Sequence, residues 1–168
     1  MSVAGPRSRS VTLRFLAEPG HVNFGGKVHG GAVMKWIDQA GYTCAAGWTG
    51  EYCVTSYVGG LHFLKPILVG EVVDLRALVI HTGRTSLHIA IDIYAGDPRE
   101  AVKSRRCHCV IVFVALNESG RPHPVPTWTP ETETDRALQQ YALRLGELRK
   151  IMDTEMEAQL KLLDQAAS

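Results

Sequence analysis

The chain has 168 residues, 45 % of them hydrophobic and 21 % charged, with a formal net charge of +1. That length fits one domain with a real apolar core, needing no disulfide or metal to fold. The near-zero charge gives no global basic field for nucleic acid, although the pair Arg105-Arg106 could hold a small anion.

The first ten residues, MSVAGPRSRS, lack the apolar core of a secretory signal, and no window reaches the ~20 apolar residues of a membrane span. Residues 1–9 read as disordered, and the protein reads as cytoplasmic with no membrane partner. Four cysteines, Cys44, Cys53, Cys107 and Cys109, form no C-x-x-C pair. They read as reduced, buried thiols and not as zinc ligands.

Ser10 to Ala17 alternates apolar and polar residues and stops at Pro19-Gly20, which predicts a strand and a turn. A glycine-rich loop follows to Gly31. From Gly31 to Gly47 the spacing predicts a helix, with Val33, Ile37, Ala40 and Cys44 on one stripe. Met34, Gly41 and Ala45 widen that apolar surface, so the helix reads as buried.

Four strand-like segments come next: Tyr52 to Leu64, with a bulge suggested at Gly59-Gly60, then Glu71 to His81, Thr85 to Ala95 and Ser104 to Leu116. Short turns between them imply an antiparallel sheet, and the apolar helix is its natural buried partner. A proline-rich stretch, Arg121 to Pro130, ends this unit. Beyond it Leu138, Tyr141, Leu145, Leu148, Met152, Met156, Leu160 and Leu163 recur at three- or four-residue spacing. That predicts an amphipathic helix, which either docks on its own domain or lies between subunits.

The chemistry concentrates between Asn23 and Asp38, in NFGGKVHGGAVMKWID. Gly30-Gly31 lies at the start of the helix, where unpaired N–H groups suit an oxygen that becomes negative in acyl transfer. The same glycines could instead serve only tight packing. Asp38 falls two turns further on, at the border of the apolar face. A carboxylate there is either an exposed helix residue or a base lining a cavity. Asn23 could orient water or donate to an oxyanion, or could simply shape a turn. There is no G-x-S-x-G elbow for a serine nucleophile.

Together, the pattern N-x-x-G-x-x-x-G-G-x-x-M-x-x-x-D resembles the acyl-CoA thioesterases of the hotdog fold, in particular the YciA-like and cytosolic acyl-CoA hydrolase group. Thr55, Phe63, Pro66 and Gly70 in TSYVGGLHFLKPILVG, the turn HTGRTSL and the segment VIVFVALNESGRPHPVP resemble the same group in the same order. The similarity covers residues 10–128, and residues 129–168 form a C-terminal helical extension.

The resemblance implies an α+β hotdog fold: an antiparallel sheet wrapped around a central helix, with the amphipathic helix appended. It implies hydrolysis of fatty acyl-CoA to free acid and CoA by water that Asp38 activates, or by Asp38 as nucleophile. Asn23 of a facing subunit would position water and thioester, and Thr55 would hold the water or the carboxylate. Backbone N–H groups at Gly30 and Gly31 would polarise the carbonyl. Arg84, Thr85 and Ser86 would contact CoA. No cofactor or metal is implied beyond CoA itself. A homo-oligomer is implied, a dimer with the active site at its interface, paired into a trimer of dimers.

His29 departs from the pattern, since the family carries a small or hydrophobic residue there. Two alternatives remain. One is a hotdog dehydratase or hydratase pairing His21 or His29 with Asp38. The other is a non-catalytic acyl-CoA-binding module.

Overall fold

The computed structural model describes residues 7–166, so residues 1–6 of the expected disordered stretch lie outside the described residues. Arg9, at the end of that stretch, donates from Nε to the Val79 carbonyl (2.8 Å) and stacks over Trp128. The chain divides into two compact units, residues 1–129 and 130–168.

The first unit runs β1 (Ser10–Leu16), α1 (Gly30–Thr49), β2 (Tyr52–Phe63), β3 (Val72–Thr82), β4 (Ser86–Gly96) and β5 (Ser104–Leu116). All five strands form one antiparallel sheet in the order β1-β3-β4-β5-β2. Alternation decides its faces. Val73, Leu75, Ala77 and Val79 of β3, Leu87, Ile89, Ile91 and Ile93 of β4, and Cys107, Cys109, Ile111 and Phe113 of β5 are all buried in the core. Against them α1 lays Ala32, Val33, Trp36, Ile37, Ala40, Gly41, Cys44 and Ala45, and it contacts all five strands.

Local chemistry sets the limits of α1. His29 is its N-cap, with the imidazole Nδ1 accepting from the Ala32 N–H (3.1 Å). Gly50 closes the helix at φ 74°, donating its N–H to the Ala46 carbonyl. Left-handed backbone favours glycine there. Gly41 lets helix and sheet approach closely: a Cβ at this position would lie 2.6 Å from the Phe113 ring and 3.0 Å from Ile111.

β2 is an edge strand with two irregularities, between Thr55 and Tyr57 and between Gly59 and His62. The second contains Gly60 at φ 62° and is the bulge the glycine pair announced. The first is unannounced. It adds a residue at Ser56 and shifts the alternation by one. Thr55 and Val58 therefore both pair with core-facing residues of β5, Phe113 and Ile111.

The face of the sheet away from α1 carries one buried carboxylate, Asp74, only 1 % exposed. Arg14 binds it through both oxygens (2.6 and 2.8 Å), and Lys103 adds a third contact (2.9 Å). Hydrogen bonding to Arg14, helped by Lys103, holds its pKa down to about 2 despite burial. Because the folded state keeps this acid ionised more readily than an unfolded chain does, its stabilisation is complete above about pH 4. It is lost as pH falls toward 2. Asp74→Asn should therefore unfold at lower denaturant concentration at pH 7 and show a flatter acid limb in urea titrations between pH 4 and 2.

The proline-rich stretch is not a free linker. Trp48 Nε1 donates to the Pro126 carbonyl (2.9 Å), the Val125 N–H to the Arg84 carbonyl (2.9 Å), and the Trp128 N–H to Thr82 Oγ1 (2.9 Å).

The second unit is dominated by α2 (Glu133–Ala166). Its start is tied by a reciprocal cap. The Asp135 N–H donates to Thr132 Oγ1, and Asp135 Oδ2 accepts from the Glu131 and Thr132 N–H groups. Residues 151–166 are all exposed.

Candidate active site

Asp38 points away from the core. On α1 the stripe Met34–Asp38–Tyr42 faces outward, and Met34 remains 50 % exposed. The helix is therefore buried on one side only, where its composition had suggested burial on most sides. Thr55 Oγ1, brought to the α1 side by the Ser56 bulge, donates a short hydrogen bond to Asp38 Oδ1. Asp38 borders an apolar cleft of about 290 Å³ lined also by Met34, Ile37, Val58, Leu61 and Ile111. No cation forms an ion pair with Asp38 among the described residues. The carboxylate is oriented by a neutral donor.

Asn23 opens a tight loop. Its Oδ1 accepts from the Gly25 and Lys27 N–H groups (2.8 and 3.2 Å), and Gly26 sits at φ 74°. That is a side-chain-closed turn. It is made without left-handed geometry at Asn23 itself, because no residue other than glycine has positive φ among the described residues.

Gly30 and Gly31 supply the first two N–H groups of α1. The Ala32 and Val33 N–H groups both bond to His29, whereas those of Gly30 and Gly31 lack an intrahelical partner by position. Asn23, Lys27, Gly30, Phe63 and Lys65 border a second cleft of about 370 Å³.

The predicted residues thus fall into groups that one protomer does not unite. Asp38 borders one cleft and is hydrogen-bonded to Thr55, and Asn23 and Gly30 share another cleft. Eight residues of helix place Gly30 and Asp38 ~12 Å apart along the axis. Arg84 and Thr85 lie in the β3–β4 turn, Ser86 opens β4, and none of the three borders either cleft. The Arg84 and Thr85 carbonyls are fixed by the Val125 and Ala115 N–H groups.

Two sequence expectations are corrected. The His29 Nδ1 is occupied as the helix cap. Neither His29 nor His21 borders the Asp38 cleft; both line a different one with Lys35 and Gln39. Arg105-Arg106 is not an open anion site, since Arg105 pairs with Asp92 (3.1 Å) and Arg106 binds Glu71 (2.6 Å) and the Pro66 and Ala95 carbonyls. Conversely, Phe63, Lys27 and Lys65 border the Gly30 cleft, and only Phe63 had been singled out, by resemblance.

All four cysteines are free and buried. Burial pushes the Cys107 and Cys109 thiols up to about 11 and about 12, which removes them as nucleophiles. No group of three or more residues able to hold a metal occurs among the described residues, and no described helix is long and apolar enough to cross a membrane.

A single long helix seated in a five-stranded antiparallel sheet of order β1-β3-β4-β5-β2 is the hotdog fold. The chain belongs to the thioesterase superfamily, whose family model matches residues 25–102. It is 32 % identical over 120 residues to the acyl-CoA thioester hydrolase YciA of Salmonella typhimurium, covering 69 % of this chain and 90 % of that one. Among solved structures it is similar to an apo-hexameric acyl-CoA thioesterase, with 28 % identity, TM-score 0.83, and coverage of 89 % of this chain and 96 % of that one. It is also similar to an acyl-CoA hydrolase of Staphylococcus aureus in complex with butyryl-CoA, CoA and CoA disulfide. That likeness has 26 % identity, TM-score 0.80, and coverage of 95 % of both chains.

Proposed function

We propose that this protein is an acyl-CoA thioester hydrolase that releases free acid and CoA, with Asp38 as the base that activates water. The observation that carries the reading is the Asp38 carboxylate, hydrogen-bonded to Thr55 and lining an apolar cleft. Membership of the thioesterase superfamily, and the similarity to hydrolases named for acyl-CoA, support the substrate class.

The site is completed by a second subunit. Base and amide donors lie ~12 Å apart on one helix, too far to act on one carbonyl. Two antiparallel copies of α1 related by a twofold axis near Met34 bring Asp38 of one protomer to Gly30, Gly31 and Asn23 of the other. The exposed apolar residues around this seam, Met34, Tyr42, Tyr52 and Val58, give the partner a surface to cover. Three such dimers make a hexamer, the assembly named for a structural relative.

In the assembled site, water attacks the thioester carbonyl carbon while Asp38 takes its proton. The Gly30 and Gly31 N–H groups hold the oxygen as it becomes negative. Collapse of the tetrahedral intermediate breaks the C–S bond, and the CoA sulfur leaves with the proton returned by Asp38. Asn23 positions the water, and Arg84, Thr85 and Ser86 meet CoA. CoA is substrate and product, and no step calls for a metal or another cofactor.

The test is thiol release from saturated acyl-CoAs of graded length, run beside crotonyl-CoA. Release of CoA from the saturated series is expected. Hydration of crotonyl-CoA without CoA release from either substrate would replace this reading with the hydratase. Binding without turnover would leave an acyl-CoA-binding module.

A further inference from the structure

The two clefts differ in charge. Lys27, Lys65 and Arg106 border the Gly30 cleft, and no acid among the described residues does. Arg106 is already held by Glu71 and two carbonyls. Lys27 and Lys65 form no ion pair among the described residues. The Asp38 cleft has the opposite character. Its one charged residue is Asp38, and the rest of its wall is apolar.

The backbone holds the two lysines in place. Lys27 closes the Asn23 loop: its N–H donates to Asn23 Oδ1 (3.2 Å) and its carbonyl accepts from the Asn23 N–H (2.7 Å). Lys65 lies between two residues tied to Arg106. The Leu64 N–H donates to the Arg106 carbonyl (2.8 Å), and the Pro66 carbonyl accepts from Arg106 Nη1 (2.7 Å). The Val28 N–H then donates to the Ile67 carbonyl (3.0 Å) and draws the two segments together. Two exposed ammonium groups on fixed segments of one cleft suit an anion of more than one charge.

An acyl-CoA has an apolar end and an anionic end, the latter made of the CoA diphosphate and 3′-phosphate, with the thioester between them. The seam proposed above sets Asp38 of one protomer beside Gly30 of the other, so the carbonyl lies where the two clefts meet. The chain suits the cleft that has no cation, and the phosphates suit the cleft that has two. The helix pair agrees with this direction. Trp48, near the end of α1, bonds to the Pro126 carbonyl, and the adjacent Val125 bonds to Arg84. The Arg84 turn therefore lies toward the end of α1, which in an antiparallel pair meets the loop that starts the partner's helix.

We infer that an acyl-CoA crosses the seam in one direction, its phosphates on Lys27 and Lys65 of one protomer and its acyl chain in the Asp38 cleft of the other. The acyl half rests on the hydrolase reading, and the test separates the two.

Calorimetric titration of the full chain with CoA and with pantetheine, which lacks the phosphates, tests the lysines without turnover. The native protein should bind CoA about tenfold or more tightly than pantetheine. Lys27→Ala/Lys65→Ala should lose most of that margin, and Lys27→Arg/Lys65→Arg should keep it. Added salt should shrink the margin of the native protein. Thiol release tests the other half: Val58→Trp should lower kcat/KM for long acyl chains more than for short ones. A margin that survives the double alanine change overturns the inference, and so does a chain-length profile that Val58→Trp leaves unaltered. Lysine-dependent binding of CoA without thiol release from any acyl-CoA would instead remove the hydrolase reading and leave the placement of the phosphates standing.

Discussion

Asp38→Asn should lower kcat for acyl-CoA hydrolysis by about 10²- to 10⁴-fold, the range general-base catalysis contributes. Asparagine keeps the shape and still accepts from Thr55 Oγ1, but it takes no proton from water. KM and the affinity for CoA should change little, because the loss falls on the transition state and not on ground-state binding. Thr55→Val should cost less, about tenfold, since it removes only the orienting hydroxyl, and Thr55→Ser should recover most of that loss. In the double variant the Thr55 effect should vanish, because a hydroxyl that aims the carboxylate has no role once the base is gone. Thiol release with and without pre-bound CoA measures all four. Undiminished turnover by Asp38→Asn would remove the proposed mechanism.

Gly41→Val should destabilise the fold by about 1–3 kcal/mol or more, the cost of forcing extra carbon into a packed core. The pressure falls on a defined contact, since even the first added carbon would lie 2.6 Å from the Phe113 ring. Phe113 pairs in register with Thr55, so any outward shift of α1 also lengthens the distance across which Thr55 reaches Asp38. Gly41→Ala should be milder in stability and still reduce kcat. Urea unfolding followed by circular dichroism, paired with thiol release on the same preparations, separates the two effects. A Gly41→Ala protein with normal stability and normal turnover would show that the close approach is not what sets the site.

Most of the fold was legible because its elements obey simple periods. Leu87, Ile89, Ile91 and Ile93 announce a strand with one buried face, and the stripe through Val33, Ile37, Ala40 and Cys44 announces α1. The sheet order was not legible, since alternation says which face is buried but not which strand lies beside which. The Ser56 bulge carries no glycine and left no mark, although it decides which way Thr55 faces. Met34 misled in another way. An apolar side chain on a helix reads the same whether a sheet or another subunit is meant to cover it, so α1 looked more enclosed than one protomer makes it.

The candidate site was legible mainly as a resemblance. Asp38 and Thr55 meet across 17 residues, and no local rule links them. The His29 cap escaped notice because histidine is not among the side chains that usually start helices. Arg106 looked available because its partners, Glu71 and the Pro66 and Ala95 carbonyls, come from the β2–β3 loop and β4, 11 to 40 residues away along the chain.

The strand order has a consequence for how the chain is made. β2 pairs only with β5, so Tyr52 waits for Leu116 and Phe63 for Cys107, while β1 waits for β3. The hairpins β3–β4 and β4–β5 need only short turns and close early. On a ribosome, the nascent chain therefore leaves β2 without a strand partner until β5 has left the exit tunnel. The strand that carries Thr55 is the last to find its neighbour. Premature termination anywhere before Leu116 leaves a sticky edge that chaperones must shield.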